Sequence, residues 1–470
     1  MEDVKAFPAK SFFVNMLTRD INLSDAILDL IDNCVDGIVR TISGDAQGDK
    51  PYDGYFAKVT ITKDMFSIED NCGGIPLDIA KEYAFRMGRP DHEQQYFRTV
   101  GLYGIGMKRA IFKLGKNALV SSYSNTDKFQ VKIDSDWLQN DNNWSLPLEH
   151  TEDIELETPG TLIKVTDLYE NISEEFSVDT YINNLKKLIS NHYSFIINKG
   201  FKVYVNDERV TPHNILFIYT NDPSGENIAP YIYQSEIEGV KVDLKVGIYR
   251  ETPSDEDLDE EQVVKRTSED SGWTIICNDR VVVYNDKTIL TGWGEATVPN
   301  FHNQFIGITG VVHFQSSDVK KLPLTTTKRG IDASSKVYLY TKKYMREGTK
   351  TFTNYTNKVK KDLRKEKEFM EKSSKISFEE LNKPEYVSAE KFKPIRNAEP
   401  IEVNAIRFKP TLPVPELSST SRSIRFSKEL SEIETVSNYL FEAPDRSPSE
   451  VGTECFDTIY REALKALRGE

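Results

Sequence analysis

The chain lacks any run of about 18 apolar residues, so no bilayer-spanning helix is encoded. Cysteine is scarce: Cys34, Cys72, Cys277 and Cys455 lie far apart in 470 residues and form no CxxC pair. Neither a disulfide framework nor a structural zinc site is expected, and a reducing cytoplasm fits best. The six histidines (His92, His150, His192, His213, His302, His313) show no metal-ligand spacing. The opening MEDVKAFPAK has no basic stretch followed by an apolar one, so no secretory signal is expected. Positive charge is in deficit: 60 Lys and Arg against 74 Asp and Glu leave −14. That balance argues against a general nucleic-acid glue, although a local basic patch can still act as one. No internal repeat is evident. What remains is 38% hydrophobic and 29% charged, the signature of a globular chain with a polar surface. At roughly 150 residues per domain it amounts to about three domains, or two plus a tail.

Up to about residue 212 helical and strand patterns alternate. Residues 24–40 read as a helix with Ser24 as N-cap, and Ile27, Ile31, Val35 and Ile38 recur at helical spacing. Strand-like runs follow at 57–62, 65–69, 118–124, 128–133 and 161–166, with helices near 77–87, 106–114 and 178–195. The mix implies an α/β sandwich, helices on one face of a mostly antiparallel or mixed sheet. A second domain, 213–345, carries strand patterns at 231–249, 273–284 and 305–314, interrupted by an acidic loop at 251–261. Trp273 and Trp293 read as its core rather than as stacking platforms. Residues 342–372, overlapping a charged helical block assigned to 346–376, hold eleven Lys or Arg against five Asp or Glu. This segment reads equally as a phosphate-backbone contact and as a solvated helix. A Pro- and Ser-rich linker or arm is expected at 377–428 and a helical unit at 429–470, with helices near 429–441 and 449–468.

Three motifs carry chemistry. On the first helix, Asp29, Asn33 and Asp36 fall at i, i+4 and i+7 and share a face. A carboxylate and an amide one turn apart suit a site where one group orients water and the other holds a hard divalent cation. The second is Ile68-Glu69-Asp70-Asn71-Cys72-Gly73-Gly74-Ile75-Pro76, a strand that ends in a turn. There Asp70 can accept from an exocyclic amine, and Gly74 lets a ring approach the backbone. The third runs from Gly101 through Gly104 and Gly106 to Lys108, Arg109 and an apolar helix. Glycines at a helix N-terminus, with two added cations, suit phosphate. Neither a Walker P-loop nor a dinucleotide fingerprint is present. Each motif alone has a bland reading as well: an exposed polar face, a turn, a surface loop.

Together, in this order, the motifs resemble the ATP-binding fold shared by DNA gyrase, Hsp90, histidine kinases and MutL, the GHKL superfamily. Gly160-Thr161-Leu-Ile-Lys-Val-Thr resembles that family's last motif, and the resemblance covers about residues 10–205. It implies an α+β protein: a Bergerat-type α/β sandwich, then an S5-like transducer domain and a helical C-terminal region. It further implies ATP and Mg²⁺ as ligands. Asn33 would coordinate Mg²⁺, Asp70 would read the adenine amine, and Gly74 would lie beside the base with Ile75. Gly101, Gly104 and Gly106 would form a phosphate lid from about 77 to 108, with Met107 beside it, and Lys108 would neutralise the phosphates. Thr161 would complete the adenine contact. Asp29 stands where hydrolysing members carry a Glu as general base, one methylene longer, so slow turnover or a purely conformational role for ATP stays open. Cys72 departs from the DNGxGI pattern.

The layout resembles the MORC-like and Hsp90-like branches, which implies a γ-phosphate sensor, with Lys328 in KLPLTTTKRGID as the candidate. A nucleotide-gated homodimeric clamp follows from that resemblance, acting on duplex DNA in DNA transactions or genome (antiviral) defence. The alternatives are an Hsp90-like ATPase that engages a protein client or partner through its C-terminal region, and a nucleotide-sensing regulatory subunit with negligible turnover.

Overall fold

Helix α1 (Lys10–Arg19) leads into α2 (Leu23–Thr41), the pivot of the first layer. The observed N-cap of α2 is Asn22, whose side chain accepts from the Asp25 N–H. Ser24 therefore does not cap the helix; it sits inside the first turn, with its hydroxyl near that of Tyr181. The start moves because an amide oxygen one residue before Leu23 already satisfies an orphan N–H. The helix is buried well beyond one stripe, from Leu23 and Ala26 through Ile38.

The computed structural model describes residues 9–42, 48–86, 105–125, 127–253, 270–325, 330–360, 362–395, 399–415 and 427–468. After α2 come β1 (Phe56–Ile61) and β2 (Met65–Asp70), both with strict in–out alternation. The helix expected near 77–87 is a short turn at Leu77–Ile79 continued by a π-helical turn at Ala80–Ala84. Helix α3 (Gly106–Leu114) runs straight into β3 (Gly115–Ser124), followed by β4 (Asp127–Ile133), β5 (Leu148–His150) and β6 (Gly160–Leu168). Helices α4 (Asp179–His192) and α5 (Ser194–Asn198) precede β7 (Lys202–Val205) and β8 (Glu208–Arg209). The eight strands order as β5-β4-β3-β6-β2-β1-β7-β8, antiparallel except for the parallel β1–β7 pair. A mostly antiparallel, mixed sheet is what the sequence implies. Its core joins Ile27, Ile31 and Ile38 of α2, Ala110 and Ile111 of α3, and Leu185 of α4 to the strands.

The second layer contains β9 (Leu216–Tyr219), β10 (Tyr231–Ile237), β11 (Val240–Ile248), β12 (Gly272–Cys277), β13 (Arg280–Asp286) and β14 (Ile308–Gln315). The strand-like runs at 231–249 and 273–284 each fold as a hairpin, turning at Glu238–Gly239 and Asn278–Asp279. Trp273 and Trp293 are buried, and the Trp273 indole N–H donates to Thr349 at 3.0 Å. Residues 254–269, which include most of the acidic loop, lie outside the described residues.

The charged helical segment is part of this layer. Helix α6 (Lys336–Val359) buries Tyr344, Met345, Phe352, Tyr355 and Val359 in the second core. Gly348 lets it approach β11, because a Cβ there would fall 2.2 Å from a Val246 methyl. Helix α7 (Arg364–Glu371) follows. The stretch expected as a linker or arm also joins the fold. After β15 (Ser374–Ser377), β16 (Lys393–Pro394) and β17 (Glu402–Phe408) extend the sheet to β13-β12-β14-β11-β10-β17-β16. Antiparallel pairing of β17 with β10 outweighs its Pro- and charge-rich surroundings. The chain divides into compact units 1–415 and 416–470. The second unit is the helix pair α8 (Leu430–Phe441) and α9 (Pro448–Arg468). Among the described residues no helix is long and apolar enough to cross a membrane.

The two sheets of the first unit meet at the β12–β13 hairpin. Asp279 in its turn accepts from Tyr52 Oη at 2.7 Å and pairs with Lys199 at 2.5 Å. Arg280 Nη1 lies 2.5 Å from Asp32 Oδ2 on α2, and the Tyr193 hydroxyl donates to Asp32 Oδ1 at 2.7 Å. The Arg280–Asp32 contact is close but not aligned as a hydrogen bond, since Asp32 Oδ2 and Arg280 Nη1 have no hydrogen-bond partner. Both side chains are about nine-tenths buried. Removing one partner of a buried pair strands the other charge at a cost of about 3–5 kcal/mol. Arg280→Ala is therefore expected to lower the urea unfolding midpoint of the full chain strongly. Arg364→Ala, which removes an exposed pair with Asp362, is expected to leave it unchanged.

Candidate functional site

The end of β2 places Asp70 opposite Thr161 on β6, and Thr161 in turn faces Ser122 on β3. Three strands thus set a carboxylate and two hydroxyls in one row. Asp70 is 8% exposed, and its Oδ1 accepts from the Cys72 N–H at 2.8 Å. Burial pushes its carboxyl up to about 6, opposed by that N–H, by the Cys34 thiol and by the Thr161 backbone.

Beyond Asp70 the chain turns through Gly73 and Gly74, with φ of +95° and +70°. A Cβ on Gly74 would meet the Tyr123 carbonyl oxygen at 2.1 Å. The turn is therefore glycine for conformation and for space together. The Ile75 N–H donates to Ser122 Oγ at 2.8 Å, and Ser122 Oγ donates back to the Ile75 carbonyl at 3.2 Å. Cys72, where the motif departs from glycine, is buried, and its carbonyl lies against Gly37 of α2.

Helix α2 supplies the second wall. Asp29, 8% exposed, pairs with Arg109 of α3, Nη2 to Oδ2 at 2.5 Å. Burial, and then the Asp32 carboxylate, push the Asp29 carboxyl above its ordinary range, and Arg109 opposes them. Gly106 opens α3 close to Asp29: a Cβ added there would lie 3.6 Å from Asp29 Oδ2. Asn33, one turn on, is half-buried. Met107 is half-buried against the first core.

Contacts link these residues in sequence: Gly106 to Asp29, Gly37 to Cys72, Cys72 to Asp70, Asp70 to Thr161, Gly74 to Tyr123. Most of the residues picked from the motifs therefore lie along one continuous seam between α2, α3 and the β2–β6–β3 edge. Lys108 does something else here. It is buried, and its Nζ donates to the carbonyls of Ala84 at 2.9 Å and Arg86 at 2.6 Å, closing the turn that precedes α3. Gly101, Gly104 and Lys328 lie outside the described residues, as does the stretch 87–104 within the expected lid.

Sequence reading misses Ser122, Asp32, Tyr193 and Arg280. Ser122 depends on strand register, which no local pattern reveals. Asp32 had a signal: it lies beside Leu28 and Ile31 on the apolar side of α2, so burial with a cationic partner was implied.

The fit to a nucleotide can be judged from these groups. A buried carboxylate flanked by a hydroxyl suits an exocyclic amine, and the glycine turn admits a flat ring beside the backbone. Asn33 offers a hard oxygen for Mg²⁺. Among the described residues no cluster of three or more His, Cys, Asp or Glu forms a protein-only metal cage, so a cation held mainly by phosphate and water fits better. Residues 21–167 match a family model described as histidine kinase-, DNA gyrase B-, and HSP90-like ATPase. The match supports the GHKL superfamily for that segment and, with it, binding of ATP, typically with Mg²⁺. No curated protein matches the chain.

The Asp70 carboxyl makes a sign-specific prediction. The native state holds the proton up to about pH 6, whereas the unfolded chain releases it near 3.8. Between these values the native state binds more protons, so this group lowers stability as pH rises. Asp70→Asn, which cannot ionise, is expected to remove that slope and to raise stability at pH 7 by roughly 3 kcal/mol. Urea unfolding of both proteins at pH 4.5 and 7 measures it. Equal slopes would show that Asp70 is not held above its ordinary range.

Proposed function

We propose that the chain binds ATP with Mg²⁺ along the α2–β2–β6 seam, hydrolyses it slowly, and passes the state of the site to the second sheet. The observation that carries this reading is the register that sets buried Asp70 opposite Thr161, with the Gly73–Gly74 turn pressed against Tyr123. Asp70 and Thr161 recognise the adenine edge, and Gly74 and Ile75 bound the base. Gly101, Gly104, Gly106 and Met107 lie along the phosphates. Asn33 holds Mg²⁺, which supplies charge neutralisation at the phosphates when bound. Asp29 accepts the proton of the attacking water. Its short side chain, on a buried helix, is consistent with slow turnover. Lys108, which closes the Ala84–Arg86 turn, acts on the phosphates only through a rearrangement of that turn.

Transmission has a structural basis in α2. Asp32, next to Asn33, meets Arg280 of the second sheet. A cavity of about 560 Å³ opens between α2 and the second sheet, apart from the seam, lined by Asp32, Asp36, Val39, Arg280, Ser316 and Leu324 among others. Leu324, which lines this cavity, pairs with Ile331 across an isolated bridge.

The duplex-DNA clamp gains little from the basic segment. Lys342 and Arg346 pair with Glu295, Arg364 with Asp362, and Lys365 with Glu226. A protein partner at the C-terminal helices is better supported, by exposed Phe456, Ile459, Tyr460 and Leu467.

Steady-state phosphate release from ATP by the full chain, with Mg²⁺, tests the reading. Slow turnover is expected, lost in Asp29→Ala with ATP binding retained, and with little effect of added duplex DNA. Unchanged turnover in Asp29→Ala would remove Asp29 as the base, and strong stimulation by DNA would restore the clamp.

A further inference from the structure

The Gly101–Arg109 motif offers two cations for phosphate, and neither stands ready in the structure. Lys108 is fixed on the carbonyls of Ala84 and Arg86. Arg109 is fixed on Asp29, in a pair whose side chains are 19% and 10% exposed. Gly106 brings the start of α3 against the same carboxylate. The group that would accept a proton from water and a guanidinium well shaped for phosphate therefore occupy each other.

We propose that Arg109 exchanges partners: it covers Asp29 until the phosphates of a bound nucleotide take its guanidinium, and the exchange uncovers the Asp29 carboxylate to water. The inference rests on the ATP reading above and adds a control to it. The chemistry favours such a swap. A guanidinium presents a planar fork that matches carboxylate and phosphate alike, so one can replace the other without a new geometry. The arriving phosphates carry more charge than the carboxylate they displace. A carboxylate covered by Arg109 has an oxygen occupied by donors and is a poor proton acceptor. Once uncovered, it is a buried carboxylate with Asp32 nearby on the same helix, and both features strengthen it as a base. Activation of water would then require phosphate to be present.

A double-mutant cycle on the full chain tests the exchange by equilibrium binding of Mg²⁺-ATP to wild type, Asp29→Asn, Arg109→Gln and the double variant. If Asp29 and phosphate compete for Arg109, Asp29→Asn binds ATP roughly five- to tenfold more tightly than wild type while losing turnover. The gain disappears in the Arg109→Gln background. A gain of equal size in both backgrounds would mean simple charge repulsion between Asp29 and phosphate, and would overturn the proposal. So would no gain at all. If Arg109→Gln does not fold, Arg109→Lys replaces it: the charge stays, the fork is lost, and a reduced gain is expected, whereas an undiminished gain counts against the exchange. Failure of wild type itself to bind ATP would instead overturn the reading on which the proposal stands, and is recognised before any variant is compared.

Discussion

Helix α2 carries Asp29, Asp32 and Asp36 at 8%, 5% and 3% exposure, and buried carboxylates on one helix cannot stand without compensation. Most of the architecture of the first unit can be understood from where that compensation comes from. Arg109 reaches Asp29 from α3, the helix that follows the glycine motif. Arg280 and Tyr193 reach Asp32 from the second sheet and from the residue joining α4 to α5. Asp29 and Asp32 thus tie α2 to different parts of the chain. A helix whose charges were exposed would not need these partners and would bind neither neighbour.

This arrangement makes α2 the natural mediator between the seam and the second sheet. Asp29 meets Arg109 of α3, while Asp32 meets the β12–β13 hairpin, so a small rotation of α2 would be felt on both sides. The hairpin is well anchored for this: Asp279 takes Tyr52 and Lys199, and the His192 ring meets the Val281 carbonyl at 3.0 Å. Helix α6 stiffens the sheet behind it, with Tyr344 stacked on Tyr233 at 3.8 Å between ring centroids.

Periodicity and turn chemistry made much of the first layer legible. α2 differs from its expected span by one residue at each end, and α3 begins and ends as expected because a glycine run and an apolar stripe delimit it. Asp70 with Gly74, and Thr161, were legible only as two separated motifs, since strand register joins them. The C-terminal part of the first unit was the least legible. Lys and Thr in α6 hide a buried stripe of Tyr344, Phe352 and Tyr355, and the seven residues of β17 sit among prolines and charges. Arg280 could not be found from sequence, because nothing near it marks the distant acid that it serves.

The account depends on Asp70 as the reader of an amine, and nucleotide discrimination tests that most directly. In competition binding to the full chain, adenine presents an exocyclic amine to the carboxylate, whereas guanine presents a carbonyl oxygen that would repel it. The account predicts that ATP binds more tightly than GTP by about 100-fold or more, because the wrong base leaves a buried polar group unpaired. Equal affinity for the two nucleotides, or preference for GTP, would contradict it.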